Sequence, residues 1–230
     1  MTEITLSPRL RAAAELVRDG AFVADVGTDH AYLPIALCLS GKIRGAVASD
    51  INKGPIDRAR ENIEKYGLSE KISTVHTDGL RGIEPFSPED VLILGMGGEL
   101  IASILEAAPW VANAGVNLCL QPMTHAEVLR RYLIERGFEI TDERIVREGD
   151  KLYQLILASH TAKEISPYSE EEFYLGRVNV KKNPDELSAL ASSIASKLTR
   201  RAEGLALTGA DTSELRSLIG NIQKHQTQEN

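Results

Sequence analysis

Four aspartates carry the first chemical signal. Asp25 and Asp29 bracket the turn Asp25-Val-Gly-Thr-Asp29, and Asp50 and Asp78 close two later apolar runs. Carboxylates so placed bind cationic or hydroxyl-bearing ligands and repel phosphate. Asp50 comes roughly 20 residues after Gly27, the separation at which a carboxylate reaches ribose hydroxyls in strand–turn–helix crevices. Asp78 is placed to accept from an adenine amino group, with the N–H of Gly79 free for the ring. Asp25 would face a cationic amine. A dinucleotide site needs G-x-G-x-x-G, so that pyrophosphate settles on a helix N-terminus. The turn here reads Gly27-Thr-Asp-His-Ala-Tyr32, with a single glycine and an acid. The Gly-Lys-Ser/Thr of a triphosphate-binding loop does not occur. The expected ligand is therefore S-adenosylmethionine, which has no phosphate and carries a positive sulfonium, rather than NAD or FAD.

These residues need strands that end together. Apolar runs at Phe22–Val26, Gly45–Ser49, Ile72–His76, Val91–Leu94 and Val116–Leu120 read as strands. Helical periodicity predicts helices over 32–40, 55–66, 100–107 and 127–136, with a capped N-terminal helix over 6–19 that Ser7 and Pro8 open. Alternation of this kind predicts a parallel sheet with helices on both faces. Phe138–Val146 and Leu152–Ala158 follow with no helix between them, so they should pair antiparallel. The fold class is α/β, a Rossmann-like seven-stranded sheet of the class I S-adenosylmethionine-dependent methyltransferase type. After about residue 162 the character changes. Ser169 opens a helix carrying Phe173, Tyr174 and Val178, and two amphipathic helices around a turn at Gly209 predict an antiparallel hairpin. The expected division is a cofactor-binding domain over 1–162 and a helical hairpin or coiled-coil domain over 163–230, frayed from Gln226 to Asn230.

The 230 residues carry a net charge of −7 and are 43% hydrophobic. That balance gives no global basic footprint, so any nucleic-acid surface must be local. Cys38 and Cys119 lie in apolar runs and read as buried free thiols of a reducing, cytoplasmic setting. No metal-ligand spacing and no membrane span are expected.

Leu6-Ser-Pro-Arg-Leu10, Ala24-Asp-Val-Gly-Thr-Asp-His-Ala-Tyr-Leu-Pro34 and Gly95-Met-Gly-Gly98 together resemble the bacterial TrmK family, tRNA methyltransferases that form 1-methyladenosine at position 22. The resemblance runs over about residues 4–160, and the helical tail looks like the family's coiled-coil extension. It implies S-adenosylmethionine as methyl donor, tRNA as acceptor and adenine N1 as nucleophile. The alternatives are a methyltransferase for another RNA, a small molecule or a protein, and a non-catalytic cofactor- or RNA-binding scaffold.

On this reading Asp29 is the candidate catalytic group, placed to stabilise the cationic product ring or to take its proton. Asp25, Gly27, His30, Asp50, Ile51, Asp78, Gly79, Gly95 and Met96 form the cofactor-binding set. Arg9, Tyr32, Gln121, Pro122, Arg200 and Arg201 are the expected substrate contacts. Arg11, Arg18, Arg130-Arg131, Lys181-Lys182 and Lys197 are further candidates for a basic tRNA surface. The expected oligomeric state is a monomer or weak dimer.

Overall fold

Period-two alternation in each central strand sorts side chains onto two faces of one sheet. In the computed structural model, which describes residues 4–182 and 184–226, seven strands take the order β3-β2-β1-β4-β5-β7-β6. They are β1 (Phe22–Val26), β2 (Gly45–Asp50), β3 (Ile72–His76), β4 (Asp90–Gly97), β5 (Asn117–Thr124), β6 (Phe138–Glu148) and β7 (Lys151–His160). The first five run parallel, and β7 pairs antiparallel with both β5 and β6. The expected sheet and terminal hairpin are thus present.

Val23, Ala46, Ala48, Leu92 and Cys119 face one layer, where they pack on α1 (Pro8–Leu16), α2 (Tyr32–Leu39) and α3 (Lys53–Lys65). Ala24, Val47, Val91, Ile93, Leu118 and Leu120 face the other, against α4 (Gly98–Glu106) and α5 (Ala126–Glu135). Both cysteines are free and buried, and burial pushes the Cys119 thiol up to about 12. Among the described residues no helix is long and apolar enough to cross a membrane.

Three local expectations need correction. β4 and β5 each run past their apolar stretches, so Gly95–Gly97 and Gln121–Thr124 belong to the strands. The β4–β5 register shifts around Met96, which lets a glycine-rich segment stay paired while it bends. The helix expected after Ser169 is two helices, α6 (Glu170–Leu175) and α7 (Arg177–Lys182), separated at Gly176. Ser169 and Glu172 do form a capping box at the start of α6. Part of the frayed end, residues 227–230, lies outside the described residues.

The tail continues as α8 (Leu187–Leu207) and α9 (Ser213–Gln223), which fold back on each other. Leu187, Leu190, Ala191, Leu198, Ile219 and Ile222 give this hairpin a small core of its own, and Ile145 and Leu152 of the β6–β7 hairpin pack against it. The link to the sheet is polar. Arg130 of α5 is fully buried. Its Nε donates to Glu143 Oε1 at 2.7 Å, its Nη1 to the carbonyls of Phe173 and Tyr174, and its Nη2 to Gln154 Oε1. Glu143 Oε2 accepts from the Val178 N–H. Arg130 was expected on a tRNA-facing surface and is instead an internal bolt. Its neighbour Arg131 pairs with Glu170 and lies over Phe173, and Lys182 pairs with Asp142.

Breaking a buried pair strands a charge in low dielectric, at a cost of about 3–5 kcal/mol, whereas replacing both partners by apolar groups avoids that cost. Glu143→Ala is therefore expected to lose roughly 3–5 kcal/mol in urea unfolding. The double replacement Arg130→Met with Glu143→Leu should lose clearly less. A double variant as unstable as Glu143→Ala would contradict this account of the bolt.

Candidate functional site

The order of the sheet reverses between β1 and β4, and the carboxyl ends of these strands open a crevice, as at other α/β switch points. Gly27 follows β1 with φ +78°, a conformation that favours glycine. A Cβ there would overlap the Met96 side chain, so the glycine lets Met96 of β4 lean across the turn. Thr28 is buried, and its hydroxyl accepts from the Ala31 N–H at 3.1 Å. Ala31 takes a left-handed conformation (φ 56°) where α2 begins. A second close approach joins the starts of α4 and α5: a Cβ on Gly98 would run into the His125 backbone.

Asp25 is only 8% exposed. Burial first, and then the charge of Asp50, raise its carboxyl to about 6, against a hydrogen bond with Thr28 that lowers it. Asp25 and Asp50 lie at the carboxyl ends of the paired strands β1 and β2, and so border the same crevice. Asp50 is half-buried at the end of β2, and its Oδ1 accepts from the Asn52 N–H at 2.6 Å. Ile51 beside it is 59% exposed, with its carbonyl 2.9 Å from His76 Nε2. Asp78 and Gly79 follow β3, and Gly79 packs by Ile104. Ser49, next to Asp50, keeps a buried hydroxyl without a partner among the described residues. An acid-lined crevice with a glycine turn suits a cationic, ribose-bearing ligand and opposes a pyrophosphate. The residues fit S-adenosylmethionine by the chemistry of this donor set.

Asp29 stands at the mouth, exposed. Its Oδ1 accepts from Arg58 Nη2 at 3.0 Å, and His30 Nε2 lies 3.2 Å from its Oδ2. The His30 ring stacks on Tyr32 with centroids 5.2 Å apart, and Tyr32 is 43% exposed. Asp29, His30 and Tyr32 thus form one connected edge of the turn. Arg58 of α3 gave no signal in the sequence, because only the folded chain brings it to Asp29.

Two expected substrate contacts take another place. Gln121 is fully buried. Its Oε1 accepts from Arg9 Nη1 at 2.6 Å and its Nε2 donates to the Pro122 carbonyl, so the amide holds the end of β5 and is not free for a base. Arg9 is half-buried beside Gly95, over the Tyr153 ring, and its backbone N–H donates to Glu148. Arg18 is tied down as well: Nε donates to Asp90 Oδ1 at 2.7 Å and Nη2 to the carbonyls of Glu89 and Gly115. It clamps α1 to the sheet and is not free for phosphate. Pro122 is buried and borders a groove that Arg201 also lines, whereas Arg200 does not. No cluster of potential metal ligands occurs among the described residues.

Comparison with known proteins places this geometry. Residues 6–156 match the methyltransferase-domain family. The tRNA (adenine(22)-N(1))-methyltransferase of Bacillus subtilis is 41% identical over 158 residues, an alignment that spans 69% of this chain and 66% of that protein. The crystal structure of the B. subtilis M1A22 tRNA methyltransferase TrmK superposes with a TM-score of 0.84 at 30% identity, over 97% of each chain. TrmK from M. capricolum, in complex with the cofactor product S-adenosyl-homocysteine, superposes at 0.79 and 28% identity over 96% of this chain and 97% of that one. The tail helices lie inside these structural alignments. With both the catalytic sheet and the helical tail shared, the chain belongs to the TrmK family of methyltransferases.

Proposed function

We propose that this protein transfers a methyl group from S-adenosylmethionine to N1 of adenine 22 in tRNA. The observation that carries the reading is the crevice at the ends of β1, β2 and β4, lined by Asp25 and Asp50 and crossed by Met96, in a chain of the TrmK family. When bound, the cofactor supplies an electrophilic methyl on a cationic sulfur. Asp25 and the Gly27 turn, with His30, take the amino-acid end; Asp50 and Ile51 take the ribose; Asp78 and Gly79 take the adenine; Gly95 and Met96 border the reacting centre. Tyr32 offers its exposed ring to the target base, and Gln121 fixes the strand end on which the base comes to rest. Adenine N1 lies on the Watson–Crick edge, so the base must leave its stack before it reacts. Holding it in line with the methyl is the main catalytic task. Attack by neutral N1 moves the positive charge from the sulfur to the adenine ring. Asp29, held in place by Arg58 and His30, stabilises that charge or takes a proton from the exocyclic amine.

The tail from about residue 163 acts as a second domain that helps hold tRNA, and the enzyme works in the cytoplasm as a monomer or weak dimer. The decisive experiment incubates the protein with labelled S-adenosylmethionine and an unmodified tRNA transcript, then digests the RNA and maps the methylated nucleoside. The expected product is 1-methyladenosine at position 22, absent from a transcript with guanine there. Label on another position or another molecule would replace this reading.

Loss of a positioned proton acceptor costs about 100- to 10,000-fold in rate. Asp29→Asn should lower kcat by about that factor while S-adenosylhomocysteine affinity changes little. Weakened cofactor binding with normal turnover at saturation would move Asp29 into the cofactor set.

The Asp25 carboxyl gives a pH test. It holds its proton more tightly in the folded chain than in the unfolded one, so in the ligand-free protein its ionisation lowers stability as pH rises from about 4 to about 6. A cationic amine binds the ionised form. S-adenosylmethionine affinity is therefore expected to rise between pH 5 and pH 7, by about tenfold per unit well below the carboxyl's value of about 6, and then to level off. Asp25→Asn should bind weakly with this slope removed; a pH slope that survives in the variant would assign it to another group.

A further inference from the structure

A groove of about 830 Å³ runs between the β6–β7 hairpin and α8, with the end of β5 as its floor. That volume lies in the ~300–1,000 Å³ range of ligand clefts. Met123, Tyr153 and Ile194 give it an apolar stretch, and Met123 is 46% exposed. Lys151, Lys197 and Arg201 line it with no ion pair or hydrogen bond among the described residues. The fourth cation on its wall, Arg147, is bound by Glu186, which ties the hairpin to the start of α8. The acids on the lining, Glu127 and Asp150, offset part of this charge. With Arg147 balanced by Glu186, Lys151, Lys197 and Arg201 still outnumber them, so the groove keeps a small net positive charge although the whole chain carries −7.

The groove adjoins the strand that borders the transfer site. Pro122 in its floor pairs with Met96 of the crevice, and Thr124 with Gly97. His125, also in the floor, holds a left-handed backbone (φ 52°) at the start of α5. Such strain in a non-glycine residue persists where the surrounding structure fixes it, as the packing of Gly98 on its backbone does here.

We propose that this groove seats the single-stranded RNA that flanks the target adenosine. A neighbouring base lies on the Met123–Tyr153–Ile194 surface, and its phosphates face Lys151, Lys197 and Arg201. The inference rests on the tRNA reading above and adds where the flanking strand goes. A base pulled from its stack leaves neighbours unstacked, and an aromatic platform with adjacent cations replaces both the stacking and the charge neutralisation they lose. Arg9 lies over the Tyr153 ring and also bonds Gln121, so the platform and the end of β5 are held by one side chain. A short open cleft with three unpaired cations along it suits a polyanion of connected phosphates better than a neutral peptide.

Arg200 and Arg201 allow a test with the net charge matched. They are adjacent on α8, but only Arg201 lines the groove. Binding of a fluorescent, unmodified tRNA transcript is measured with the full-length protein at several salt concentrations, alongside S-adenosylhomocysteine affinity and kcat. Arg201→Glu combined with Lys197→Glu is expected to weaken tRNA binding at least tenfold and to lower the salt slope by about one to two, with cofactor affinity unchanged. Arg201→Glu alone should exceed Arg200→Glu by at least fivefold. Tyr153→Phe should bind tRNA as the unmodified protein does, while Tyr153→Leu should bind about tenfold more weakly. Equal effects of Arg200→Glu and Arg201→Glu, or equal binding by Tyr153→Leu and Tyr153→Phe, would overturn the groove and leave the methylation reading intact. Groove-dependent binding without methylation at adenine 22 would overturn the methylation reading and keep the groove. A protein that does not bind the transcript at all would refute both.

Discussion

The guanidinium of Arg130 and the carboxylate of Glu143 meet where no water reaches them, and four segments of the chain are defined by that meeting. α5 brings the arginine, β6 the glutamate, β7 the Gln154 amide, and the stretch around Phe173 and Tyr174 the carbonyls. A buried pair of this kind is not a large net source of stability, since desolvation offsets much of its attraction. Its consequence is geometric. Every donor and acceptor in it must be satisfied at once, and only one docking of the tail on the sheet does so. The surface pairs Arg131–Glu170, Arg147–Glu186 and Lys182–Asp142 follow the same seam. Through this docking α8 is held opposite the β6–β7 hairpin, and the groove between them exists.

The catalytic crevice obeys a different constraint. Its walls carry carboxylates at strand ends, and burial, with a smaller push from the charge of Asp50, raises the Asp25 carboxyl to about 6. A cationic ligand stabilises the ionised form. The crevice therefore selects ligand charge before any contact with the adenine or ribose is considered. The groove beside it carries the opposite sign, from Lys151, Lys197 and Arg201. One short stretch, Pro122–His125, borders the groove and pairs through Pro122 and Thr124 with the crevice strand β4. A cationic cofactor and a polyanionic substrate can thus approach one strand end from opposite sides without competing for the same charges.

The parallel sheet, its terminal hairpin and the strand-end acids were legible because they depend on local patterns. Apolar residues at period two make a strand, one glycine makes the turn, and Asp50 and Asp78 close their runs wherever the strands happen to pack. The extension of β4 through Gly95–Gly97 was not legible, since glycine has no side chain to declare a strand and only pairing with β5 makes it one. Nor was the break at Gly176, where the amphipathic pattern reads straight through from Phe173 to Val178.

Charged side chains mark the boundary between the two kinds of information. Arg18, Arg130 and Arg201 look alike in the sequence. The fold turns the first into a clamp on Asp90, the second into a buried bolt, and the third into a free cation on a groove wall. Arg9 and Gln121, both expected at the substrate, are bonded to each other, while Arg58 reaches the turn residue Asp29 from α3. The sequence by itself determined the fold class, the sign of charge at the cofactor turn and the family. The tertiary structure alone decided which cations are spent internally and which face outward, because an ion pair forms between residues far apart in the chain, and its partner is set by packing rather than by spacing.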